Sequence, residues 1–203
     1  MAIRQIARMG HPVLRRVAEP VADPAEPEIA RLAEDMRDTI EEIGAAGIAA
    51  PQVYISRRVV VFRVPASRIP PGVRLAPIPW TTMVNPTVTP LTDRKELIWE
   101  RCLSLPGLHG KVPRFTAVRV GYLTTRGEER TIEAEDWLAM LLQHEVDHLD
   151  GYLYPMRMTD LSLLAFNSDP GALSAEALRT PDLDPALRAM VNAWPTREKW
   201  VTG

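Results

Sequence analysis

One cysteine, Cys102, in 203 residues leaves no internal disulfide possible and points to a reducing compartment. No apolar run approaches the roughly 20 residues that a membrane-spanning helix requires, so no membrane partner is expected. Neither sign of charge is in excess: 24 Lys and Arg against 26 Asp and Glu give a net charge of -2, which offers no bulk attraction to nucleic acid or anionic lipid. Direct nucleic-acid binding is therefore not expected. The first 18 residues contain no acid, yet carry Arg4, Arg8, Arg15 and Arg16. That composition occurs in organellar transit peptides, although no secretory apolar region follows. The preferred reading is a structured arm whose Ile3, Ile6, Val13 and Leu14 pack on the body, in a cytoplasmic protein, with an organellar location as the alternative.

What is present is enough apolar material for a core. At 46% hydrophobic residues the chain suits one globular domain with an appendage. Ile29, Leu32, Met36, Ile40 and Ile43 recur at spacings of three and four, which predicts an amphipathic helix over residues 27–46 that ends at Gly44. The β-branched run at 58–64 predicts a buried strand. Five prolines between 65 and 79 predict a surface loop. Further strands are expected at 81–84, 96–99 and 117–124, the last turning at Arg126-Gly127 and returning through Ile132. A second helix is expected over 135–149.

That second helix carries QHEVDHL, residues 143–149. Residues four apart stack on one helical face, so His144 and His148 can reach one divalent ion with Glu145 beside it. Trp137 and Leu141 continue the same stripe, which places the histidines on an otherwise apolar, buried face. Two hydrogen-bonded core histidines are the structural alternative. The other histidines, His11 and His109, lack any ligand spacing and read as surface or loop residues. A catalytic site usually needs a third protein ligand. An extended HExxHxxGxxH is followed through Gly151 but fails at Tyr154. A downstream glutamate would have to be Glu176, and a zinc peptidase of that type remains open. Upstream stands Cys102, whose thiolate suits zinc or ferrous iron, although a lone cysteine is often only a small apolar core residue.

Three segments together resemble the peptide deformylase family: GIAAPQ at 47–52, ERCLS at 100–104 and QHEVDHL at 143–149. Each is moderately specific, and the set in this order is highly specific. The resemblance extends to GHPVLRRVAEPV near the N-terminus, to Asn85-Pro86 and to VPRF at 112–115, and so covers residues 3–158. VPRF with Trp137 is similar to the type I branch of organelles and some bacteria. The resemblance implies an α+β fold, with antiparallel β-sheets packed around a central helix carrying HExxH, as a catalytic domain over 1–158. Residues 159–203 are expected to form an extension of the same domain, partly helical.

The resemblance also implies roles. Cys102, His144 and His148 would hold one divalent metal ion per chain, with Fe(2+) expected and Zn(2+), Ni(2+) or Co(2+) able to substitute. Glu145 would move the proton, while Gln52 and the backbone N–H of Leu103 would stabilise the oxyanion. The substrate would be the N-formylmethionyl end of a nascent peptide, and the products formate and a free amine. Ala46 and Gly47 would pair with the extended peptide, and Ile98, Trp137 and Leu141 would line the methionine slot. Glu100 is assigned to the substrate wall, where it could also orient a ligand or the loop; alone it would read as a solvated loop acid. GIAAPQ alone would read as a helix-capping glycine and a proline turn. Two family glycines are replaced, by Ala45 and Arg101, and Arg101 is expected to point outward, where it could pair with Glu100 or another rim acid, or meet the substrate beyond the formylmethionine. The segment 160–203 holds six acids and four bases. It therefore lacks the basic tail through which some family members dock on the ribosome. A non-catalytic metal-binding module is the remaining alternative, and the oligomeric state is left open.

Overall fold

The structure, a computed structural model, describes residues 2–69 and 75–167. Helix α1, Pro27–Ile43, begins on a proline whose missing N–H is not needed in a first turn. It ends at Gly44, whose φ of 75° suits a residue without Cβ and whose N–H donates to the carbonyl of Ile40. Gly44, not Gly47, is thus the capping glycine.

Among the described residues eight strands build two antiparallel sheets. The larger runs in the order β1 (Gly47–Ala49), β2 (Val59–Val64), β3 (Ile78–Pro90), β6 (Ala117–Leu123), β7 (Glu129–Glu135). The smaller runs β4 (Lys95–Cys102), β5 (Leu105–Phe115), β8 (Leu164–Phe166). Strand β2 is paired on both sides and buried on both faces, which is why five of its six residues are apolar, with the half-buried Arg63 as the exception. Val60, Phe62 and Val64 join the core beneath helix α2 (Asp136–Leu149), whereas Val59 and Val61 join the core of α1. Helix α2 packs against strands of both sheets, so every residue from Leu138 to Leu149 is buried and the expected single stripe becomes an enclosed helix. Among the described residues no helix is long and apolar enough to cross a membrane.

Several elements exceed the sequence expectation. Strand β3 continues past Asn85-Pro86 through a register shift, at which Asn85 takes φ 51° and its side-chain amide bonds both the N–H and the C=O of Val21. Strand β5 is new. Its glycines and prolines suggest a loop, but Pro106 and Pro113 fall outside Leu108–Gly110, the stretch that is paired on both sides among the described residues. The short β1 and β8 carry too few residues for a period to show. The tail from 168 onward, with Glu176 and any helix there, lies outside the described residues, as do prolines 70 and 71 of the loop.

The N-terminal arm is structured. The N–H of Arg4 donates to Thr39 Oγ1, that of Ala7 to the Gln52 carbonyl, and that of Met9 to the Ser104 carbonyl. Leu14 is fully buried and Ile6 and Val13 partly so, but Ile3 is exposed, because on this extended arm the neighbouring Arg4 makes the contact, an ion pair with Asp35. The arm also closes over the end of α2, where Ala18 N–H donates to the Leu149 carbonyl. Gly151 makes that approach possible: its φ is +79°, and a Cβ would meet the Arg15 backbone at 2.9 Å. Gly151→Ala is expected to lose about 1–3 kcal/mol of stability, read as a lower denaturation midpoint with an unchanged denaturant slope.

Candidate metal centre and cleft

Strand β4 ends in Cys102, and the tight turn into β5 returns Ser104, whose N–H donates to the cysteine sulfur at 3.4 Å. Helix α2 brings His148 Nε2 to 3.2 Å from the same sulfur. Ligand atoms of Cys102, His144 and His148 lie within 4.8 Å of one another, and all three residues are buried. His144 Nδ1 lies 2.6 Å from a Glu100 oxygen, so it donates there and leaves Nε2 as the free lone pair.

The electrostatics match this donor set. Burial works against a thiolate, but His148 and then His144 outweigh it and hold the Cys102 thiol well below the usual range. Burial likewise disfavours a charged His144, yet Cys102 and Glu100 hold its pKa well above the ordinary value. The thiolate is already favoured, and a divalent cation would take the place of the imidazole proton beside it, since its ligands are a thiolate and neutral imidazoles. One sulfur and two imidazoles suit zinc or ferrous iron rather than magnesium or calcium, so the residues fit a transition metal.

Around the donors the polar groups are fixed. Gln52 accepts at Oε1 from the Ala49 N–H, 2.9 Å, which turns its amide nitrogen toward Ser104 Oγ at 3.3 Å and Cys102 Sγ at 3.5 Å. Burial pushes the Glu145 carboxyl up to about 7, against the pull of both histidines. Its Oε1 lies where a side chain on residue 47 would stand: a Cβ on Gly47 would meet it at 2.6 Å. Gly47 is therefore the wall that lets the carboxylate approach β1.

A cleft of about 870 Å³ opens over this centre. Ala46, Gly47, Gln52, Glu100, Cys102 and Leu103 line it, and α2 adds Trp137, Leu141, His144 and Glu145. Ile98 does not join them. It pairs with Val112, and from β4 the cleft is lined instead by the strand's last four residues, Trp99, Glu100, Arg101 and Cys102. Glu100 is no solvated loop acid: it is buried, and its oxygens serve His144 and Arg114. Nor is it free to pair with Arg101, which is exposed on the cleft rim. His109 is no loop residue either, since it lies in β5 and lines the cleft.

Arg114 escaped the sequence reading as a functional residue. Its guanidinium donates to Glu100 at 2.5 and 3.0 Å and to Asp147 at 2.5 Å, joining β4, β5 and α2 in one buried network. Gln143 bonds both the N–H and the C=O of Phe115 beside it. The available signal was parity: Val112 and Arg114 share one face of β5, and Val112 is fully buried.

Residues 3–163 match the sequence model of the family described as Polypeptide deformylase. The chain belongs to that family. Peptide deformylase 1 of Nitrosomonas europaea is 39% identical over 86% of this chain and 99% of its own length. Peptide deformylase 2 of Ralstonia nicotianae is 44% identical over 81% and 92%. The class I type b peptide deformylase of Acinetobacter baumannii, solved bound to Met-Ala-Ser, superposes with a TM-score of 0.70 at 36% identity. The match covers 78% of this chain and all of that one.

Truncating Arg114 would leave the buried Glu100 with His144 as its remaining partner and Asp147 with Arg157 alone. Arg114→Met is expected to cost about 3–5 kcal/mol of stability and to lower metal content, because Glu100 would no longer be held against His144. Equilibrium denaturation and metal analysis of the same preparation check both effects.

Proposed function

We propose that this deformylase-family chain removes the formyl group from N-formylmethionyl peptides through Cys102, His144 and His148 as ligands of one divalent ion, Fe(2+) by preference. The observation that carries this reading is the convergence of a thiol and two imidazoles with Gln52 and Glu145 at the floor of one cleft. Bound there, the ion would supply Lewis-acid activation at the formyl group. Glu145 takes the proton of the attacking water on its carboxylate and passes it to the departing amine, a role that needs an acid beside the donors but not among them. Gln52, its amide already turned by Ala49, donates from Nε2 to the oxygen that gains charge, and the Leu103 N–H adds a second donor.

The substrate side follows from the walls. Among the described residues strand β1 is an edge strand, paired with β2 alone, so Ala46 and Gly47 offer backbone groups to an extended peptide as an added strand. Trp137 and Leu141, with Met140 between them, form the apolar slot for methionine. A formyl carbon bears only hydrogen, so a tight site admits it and rejects acetyl. We place the catalytic domain at 1–158 and read 159–203 as its extension, supported by β8 joining the smaller sheet. A cytoplasmic location is proposed, in keeping with the bacterial relatives.

Glu145→Gln is expected to retain one equivalent of metal while formate release from formyl-Met-Ala-Ser falls by about a hundredfold to ten-thousandfold. Cys102→Ala is expected to lose metal and activity together. Metal retained by Cys102→Ala would remove the cysteine from the ligand set.

With ferrous iron in the site, both the ion and its thiolate ligand are open to oxidation. Enzyme prepared anaerobically with iron is therefore expected to lose activity in air, and a zinc-loaded sample to lose less, measured as formate released over a time course.

A further inference from the structure

Among the described residues only two acids line the cleft, and neither is free to meet a cation. Glu100 is shared by His144 and Arg114, and Glu145 stands over the donors against Gly47. The exposed charge on the wall is Arg101, which forms no ion pair among the described residues. It faces His109 across the β4–β5 ladder, and two positions along, Trp99 faces Lys111. Strand residues two apart share a face, so these four side chains make one patch. Farther along the same face Lys95 lies opposite Phe115, its ammonium 4.3 Å from the ring centre. By this alternation the face carries Lys95, Arg101 and Lys111 and no acid, whereas Glu96 and Glu100 fall on the other side.

The patch is braced. Lys111 Nζ sits 5.5 Å from the Trp99 ring centre, and the Trp99 and His109 rings meet edge-on at 4.9 Å. His109 Nδ1 is 2.6 Å from Asn167 Oδ1 and donates to it, which fastens the ring from behind. The patch is also continuous with the cleft, since Trp99, Arg101 and His109 all line it.

We propose that this cationic and aromatic face of β4 and β5 is a specificity surface, selecting peptides with an acidic residue at the second or third position after the formylated end. The assignment rests on reading the cleft as the peptide site. A peptide lying along β1 with its methionine in the α2 slot has its next residues within the cleft that Arg101 and His109 wall, where an aspartate meets Arg101 without a competing acid. A basic and aromatic strip can also hold single-stranded RNA. Continuity with the cleft favours the peptide.

The test uses the full chain with one equivalent of metal and formyl-Met peptides that differ only by Asp or Lys at position two or three. Wild type is expected to give a higher kcat/KM for the acidic peptide, and Arg101→Gln to reduce the acidic-to-basic ratio about two- to fivefold, the range of an exposed ion pair. Arg101→Glu should invert the ratio, and about 1 M salt should flatten it in wild type. Calorimetric Kd values for the matching unformylated Met peptides supply a second readout. It separates the two ideas: no turnover on any formyl peptide would defeat the deformylase reading, while an acidic preference in binding would still uphold the surface. Equal ratios for wild type and both variants, in turnover and in binding, would overturn the proposal. So would metal loss in Arg101→Gln, which would make Arg101 a residue that shapes the ligand turn. An RNA oligonucleotide that binds wild type but not Arg101→Gln, with no charge preference among peptides, would transfer the surface to nucleic acid.

Discussion

The buried guanidinium of Arg114 is the contact on which the metal centre depends. Cys102 comes from the end of a strand and the histidines from a helix, and nothing in either element alone brings them together. Arg114 lies on the strand between, holding Glu100 of β4 with two nitrogens and Asp147 of α2 with a third. Taking three charges out of water is expensive, and an apolar substitute of equal volume often gives a more stable protein. The network is better understood as fixing position. Glu100 then orients His144, and Asp147 lies one residue before His148, so one cation registers both histidines against the cysteine.

The opposite wall is governed by the lack of a side chain. Glu145 points from an enclosed helix toward β1 and can do so only because residue 47 has no Cβ. The same segment supplies the Ala49 N–H that orients Gln52. GIAAPQ therefore acts as a strand edge, a gap for a carboxylate and a clamp for an amide, all within six residues. The N-terminal arm ties this segment to the ligand turn, since Ala7 bonds the backbone at Gln52 and Met9 the backbone at Ser104.

Membership of the polypeptide deformylase family agrees with this arrangement, because the matched region, residues 3–163, contains every group named in the site. The particular features of this chain lie on the rim. Arg101 forms no ion pair with the donors or the buried network and lines the cleft as an exposed charge.

The sequence by itself determined the elements whose pattern is local. The 3.6-residue period of α1, the β-branched run of β2 and the i, i+4 histidines of α2 follow from backbone geometry and could be read directly. Cys102 as a partner of the histidines was legible only through resemblance, since spacing left Glu176 open. Tertiary structure decided the rest. Strand β5 hides behind its glycines and prolines because among the described residues its outer edge is paired only where β8 docks, at Leu108–Gly110. Glu100 read as solvated because a carboxylate's burial depends on a partner elsewhere in the chain, here Arg114 and His144. Trp99 rather than Ile98 lines the cleft because only the last four residues of β4 reach it, a limit that alternation within the strand leaves undetermined. Local periodicity is encoded residue by residue, whereas the pairing of buried charges and the facing of strands arise only when distant segments meet.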